Sequence, residues 1–89
     1  MIHFASPSFW EVYEALPPSV KRVADRNFEM FKINPKHPSL HSKNSNSYWS
    51  VRAGIDYRAL AVDVENGLPW FWIGSHAEYD KLIKPYRIN

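Results

Sequence analysis

Four residues in the C-terminal half carry side chains able to do chemistry together: Arg52, Arg58, His76 and Tyr79. Arg52 and Arg58 stand on either side of a short turn in WSVRAGIDYRALAV. A guanidinium is permanently charged, and its planar fork of donors suits a phosphate. Two such groups held close without an anion repel each other, so an arginine pair lacking acidic partners marks an anion site. The plainer reading gives Arg58 a salt bridge to Asp56, Asp63 or Glu78 and leaves Arg52 as an exposed charge. From the bare residues that plainer reading is the commoner one.

His76 follows a strand-like run in WFWIGSHAEYDKL. Ser75 and Glu78 have capping-box spacing, which makes His76 the first residue of a helix. Free backbone N–H groups and the positive end of the helix dipole lie there, and that combination attracts phosphate. Near neutrality a histidine in such a place can serve as general acid or base. A histidine in a turn with no task is the more ordinary case. Tyr79, one turn further, either shares the face of His76 or packs beneath the helix. Lys36 and Lys43 lie in the loop PKHPSLHSKNSNS, as solvated charges or as contacts to a nucleic-acid backbone. His37 and His41 are four apart, but Pro38 between them breaks the helix that would align them. A zinc site is therefore not expected.

These residues need elements to position them. MIHFA reads as a first strand. Phe9, Val12, Tyr13 and Leu16 repeat at helical spacing, with Ser8–Glu11 and Ser6–Pro7 as competing starts. Pro17 and Pro18 end that helix and open a longer one, PSVKRVADRNFEMFKIN. The two helices should form a hairpin. Tyr48–Arg52, Tyr57–Val64 and Leu68–Ile73 read as strands, with Asn66-Gly67 as the strongest hairpin signal. A last short helix runs from Ser75 to about Lys84-Pro85. The order β-α-α-β-β-β-α implies an α+β, two-layer domain: an antiparallel meander packed against a helical hairpin. By strand alternation Trp70 and Trp72 share one face. Both faces of the sheet carry apolar groups, so the face away from the hairpin must be partly covered too.

With 89 residues the chain makes one domain, 1–89, large enough for a core without metal or disulfides. It has no cysteine, which excludes a disulfide framework and a thiolate metal site and fits a cytoplasmic protein. No run approaches membrane-spanning length, and the N-terminus lacks the layout of a secretion signal. A net charge of +2 is too small to argue for nucleic acid by itself.

Over nearly its whole length the chain resembles the RelE/ParE superfamily of bacterial type II toxins. The resemblance is carried by the hairpin WSVRAGIDYRALAV, the loop HPSLHSK and the stretch WFWIGSHAEYDKLI. It implies a toxin neutralised by a cognate antitoxin. In the RelE branch such toxins are mRNA interferases that cut mRNA on the ribosome and arrest growth; in the ParE branch they poison DNA gyrase. For the nuclease the 2′-hydroxyl attacks the adjacent phosphate, with no metal and no cofactor. The protein orients the backbone in line, neutralises charge and manages two protons. Carried over by position, Arg58 and Arg52 stabilise charge, and His76 moves a proton. Tyr79, a looser match, orients or stacks on a base. Tyr48 and Ser50 stand where the RelE branch carries two lysines, and neither replaces that charge. With Lys36 and Lys43 they make up the expected RNA-facing set. Two other outcomes stay open: a gyrase inhibitor without chemistry of its own, or an inactive member that only binds an antitoxin.

Overall fold

The computed structural model describes residues 2–45 and 48–83. Its elements are β1 (Ile2–Ala5), α1 (Pro7–Glu14), α2 (Pro18–Ile33), a 3₁₀ turn (Pro38–Leu40), β2 (Lys43–Ser45), β3 (Tyr48–Gly54), β4 (Tyr57–Val62), β5 (Gly67–Ser75) and α3 (His76–Ile83). The strands form one sheet in the order β1-β5-β4-β3-β2. The expected α+β architecture is observed. Met1 and the expected helix end at Lys84-Pro85 lie outside the described residues.

Local chemistry sets the helix boundaries. Ser6 caps α1: its Oγ accepts from the Phe9 N–H at 3.1 Å, with Pro7 in the first turn. That start prevails over Ser8–Glu11 because proline at the first helical position loses no needed donor. Pro17 and Pro18 separate the helices, which are then tied by Tyr13 Oη donating to Asp25 at 2.8 Å and by Lys21 to Glu14 at 3.3 Å.

Three features of the sheet depart from the sequence pattern. Polar Lys43–Ser45, which reads as loop, pairs with β3 as an edge strand. Strand β1 joins the other edge, parallel to β5. Neither pairing leaves a periodic trace, since both come from backbone brought alongside by tertiary structure. The third is a register shift between Leu60 and Ala61, which pair with Trp72 and Trp70 and leave Phe71 as an extra residue. The bulge flips parity, so Trp70 and Trp72 lie on opposite faces rather than one.

Gly67 also acts differently from the hairpin signal. The turn is Glu65–Asn66, closed by Val64 and Gly67, and no glycine has positive φ. What Gly67 provides is room: a Cβ there would lie 2.6 Å from the Ile2 carbonyl oxygen. It lets β1 approach β5.

On one face of the sheet Val51, Ala53, Ala59, Ala61, Trp70 and Ile73 pack with Leu16, Ala24 and Phe31 from the helical layer. Small alanines leave space for rings: Phe31 meets Trp49, Trp70 and His3 edge-on. Burying a ring such as Phe31 contributes about 1.5–3 kcal/mol. The opposite face carries Arg52, Arg58, Ser50, Leu60 and Trp72, and α3 lies across part of it.

Candidate functional site

Register brings the expected basic groups together. Arg52 pairs directly with Arg58 across β3 and β4, and Arg58 pairs with Gly74 on β5. The next row runs Lys43, Ser50, Leu60, Trp72. Gly74 accommodates the Trp72 ring, which lies 2.5 Å from where a Cβ would stand.

Arg58 is 4% exposed. Its Nε donates to Ser50 Oγ at 2.7 Å, and its Nη2 donates to the carbonyls of Ser50 and His41 at 2.8 and 2.7 Å. Its guanidinium carbon lies 5.3 Å from the centre of the Tyr79 ring, a cation–π arrangement. Among the described residues no carboxylate pairs with Arg58 or Arg52. The salt bridge of the plainer reading does not form. Two of its candidate carboxylates are engaged elsewhere: Glu78 accepts from Ser75 Oγ and Asp63 accepts from Asn44. Burial lowers the pKa of Arg58; Tyr79 opposes that shift and the charge of Arg52 adds to it. A buried cation held by neutral acceptors beside a second cation is an electrostatic arrangement that favours an anion.

Arg52 is half-buried, and its carbonyl accepts from Asn27 at 2.9 Å. His76 opens α3 with its ring exposed, Nδ1 lying 3.2 Å from Asp80 Oδ2. That contact engages Nδ1 and not Nε2. Tyr79 is buried, and its ring stands edge-on to His76 at 5.5 Å. One tyrosine therefore touches both His76 and Arg58.

The end of α3 is less open to phosphate than its position suggests. The His76 N–H donates to Asp56 O at 2.6 Å, the Glu78 N–H donates to Ser75 Oγ at 3.2 Å, and the Glu78 carboxylate accepts from the Ser75 hydroxyl at 3.0 Å. Two of the free donors are spent and a negative charge sits beside them. The positive character of this region rests on the arginines.

Tyr48 and Lys43 are exposed at the β2–β3 edge; Lys43 sits opposite Ser50, which is buried against Arg58. Lys36 lies apart in the loop, on the wall of a groove with His41. Sequence reasoning missed His41, whose carbonyl holds Arg58, and Asp80, four residues past His76. The second was legible from helical spacing. A larger cavity of about 580 Å³ lies beneath α1 and α2, walled by rings such as Phe28 and Trp70; of the expected site residues only Arg52 reaches it. His3, also on that wall, has its pKa lowered by burial and then by Lys32.

No protein-family model matches the sequence, and no curated protein matches it. Solved structures do. The chain is similar to the YoeB/ParE toxin from Agrobacterium tumefaciens, with a TM-score of 0.68 and 16% identity over 85% of this chain and 99% of that one. The isolated RelE toxin of E. coli gives 0.64 and 9% identity over 97% and 98%. A chain of the RelB–RelE antitoxin–toxin complex from Methanococcus jannaschii gives 0.63 and 11% over 89% and 96%. At such identities the likeness lies in the path of the backbone, and what it establishes is that this chain has the fold of the RelE/ParE superfamily of toxins.

Proposed function

We propose that the protein is the toxin of a type II toxin–antitoxin pair, and that it cuts mRNA on the ribosome without a metal. The observation that carries this reading is the Arg52–Arg58 pair, free of carboxylates among the described residues, with Arg58 against the same tyrosine that touches His76. A phosphodiester supplies the missing negative charge.

The division of labour follows from burial. Arg58, buried and already donating to three acceptors, holds positive charge beneath the surface. Half-buried Arg52 is the group that meets a phosphate oxygen. The 2′-oxygen loses its proton and bonds to phosphorus. The bond from phosphorus to the 5′-oxygen breaks, and that oxygen takes up a proton. The products are a 2′,3′-cyclic phosphate and a 5′-hydroxyl. His76 Nε2 serves one of these two proton transfers, with Asp80 orienting the ring through Nδ1. Arg52 and Arg58 stabilise the charge that grows on the phosphorane oxygens. Tyr79 keeps both groups in place.

Complexes of relatives with antitoxins, RelB in Methanococcus jannaschii and DinJ in E. coli, support an antitoxin partner for this chain. Ile2, Phe4 and Trp10 are each at least half exposed, and such an apolar surface calls for cover. Ribosomal mRNA as substrate puts the action in the cytoplasm.

One observation favours a second reading. The RelE-branch lysines are replaced by Tyr48 and Ser50, and the Ser50 hydroxyl is committed to Arg58. A gyrase inhibitor of ParE type would need no such lysines. Primer extension on mRNA translated by purified ribosomes separates the two. Ribosome-dependent cuts within codons, reduced at least about 100-fold by His76→Ala, are expected from general acid–base catalysis. No cuts from the folded protein, together with inhibited gyrase supercoiling, would move the assignment to the second reading.

A further inference from the structure

We propose that the groove between the 36–44 segment and Trp49 is a subsite for one nucleotide of single-stranded RNA, linked to the arginine pair through His41. This rests on the nuclease reading above and goes beyond it by naming where the neighbouring nucleotide sits. The groove has a volume of about 340 Å³, at the lower end of the range of about 300–1,000 Å³ for small-ligand pockets.

Its wall combines the three things a nucleotide requires. Exposed Lys36 supplies a cation for a phosphate, and among the described residues no carboxylate lines the wall. Trp49 and Pro38 supply apolar surface for the face of a base. A base edge finds both kinds of partner. His37 Nδ1 accepts from the Ser39 N–H at 3.2 Å, so its ring proton lies on Nε2 as a donor. Asn44 spends its amide N–H₂ on Asp63 at 3.3 Å, which leaves its carbonyl oxygen as an acceptor.

The loop that makes this wall is built rather than slack. Ser42 Oγ donates to the Pro35 carbonyl at 2.5 Å, the Lys36 N–H donates to Asn34 Oδ1 at 3.2 Å, and Ser39 Oγ reaches Met30 Sδ at 3.3 Å. Leu40 is fully buried and pins the loop to the core. His41 adopts a left-handed φ of 44°, uncommon for a residue with a side chain. That conformation presents its carbonyl to Arg58 Nη2 while the residue lines the groove. Groove and arginine pair thus share one residue. Trp49 and Asn44 belong to the helix-side face of the sheet and the arginines to the other, so a strand of RNA with a phosphate at Arg52 would pass round the sheet edge at His41 to place a neighbouring nucleotide in the groove. The larger cavity under the helices suits this less: its wall is dominated by rings and carries the Asp25 carboxylate.

The test is a titration of the full chain, followed by NMR, with a mixed-sequence single-stranded RNA tetranucleotide, the matching DNA and inorganic phosphate. RNA should shift the Trp49 indole and the His37 and His41 resonances, and Lys36→Glu should weaken binding roughly tenfold without altering the fold. Trp49→Phe is the second variant. It keeps a ring against Phe31 and loses no hydrogen bond made to a described residue; weaker RNA binding is expected. Shifts near Arg52 and His76 but none in the groove would overturn the subsite and leave the nuclease reading standing. Shifts in the groove with no cleavage on ribosomes would keep the subsite and sink the nuclease reading. Phosphate reproducing the full pattern, DNA binding as well as RNA, or no shift with any of the three would each overturn the proposal.

Discussion

The two faces of the sheet solve opposite problems. Towards α1 and α2, alanines make room for rings, and the half-buried imidazole of His3 is matched: its Nδ1 accepts from Trp70 Nε1 at 3.1 Å. Towards α3, the same strands hold Arg58 out of water and set Arg52 opposite it. The first face is organised for stability. The second sets two like charges opposite each other with no carboxylate on them among the described residues, the arrangement proposed above to take an anion. Such uncompensated charge on an otherwise well-packed scaffold is what marks a site.

Substitutions on each face should break this contrast in different ways. The largest loss belongs to the helix-side face: Phe31→Ala should cost about 3–5 kcal/mol in urea unfolding, because it empties a site that is 1% exposed. Ser50→Ala comes next. It strips the acceptor from Arg58 Nε and should cost about 1–3 kcal/mol. It should also lower cleavage, since Arg58 is then free to turn. Arg52→Gln should go the other way and raise stability by up to about 1 kcal/mol, because it removes a like charge directly across the ladder, while it lowers cleavage. A gain in stability with a loss of activity is the signature of charge retained for function.

His3 gives the pH dependence. Its folded pKa lies below its unfolded value of 6.5. The unfolded chain therefore binds the proton more readily, and stability is fully present above that value and declines as pH falls below it. Urea midpoints for the wild type should drop on acidification through this window, and His3→Gln should flatten the drop. An equal drop in the variant would move the effect to another group.

Much of this contrast was legible in the sequence. The Ser75–Glu78 cap placed His76 at a helix start, and a short turn put Arg52 and Arg58 on neighbouring strands; that they stand directly opposite comes from the register. What escaped was set by tertiary structure. Polar β2 pairs because β3 offers an edge. The bulge at Phe71 separates Trp70 from Trp72 and is invisible to a period of two. His41 is an ordinary loop histidine until its carbonyl is seen on Arg58. The α3 terminus looked open to phosphate because spacing alone does not show that Asp56 and Ser75 have taken its donors.

The most direct test of the arginine pair as an anion site needs no ribosome. Thermal unfolding would be followed for the wild type and Arg52→Gln as phosphate replaces chloride at constant ionic strength. A ligand that binds only the folded state raises the melting temperature. The wild type should gain stability with phosphate, and Arg52→Gln should gain little. Equal gains in the two proteins, or none in either, would contradict an anion site at Arg52 and Arg58.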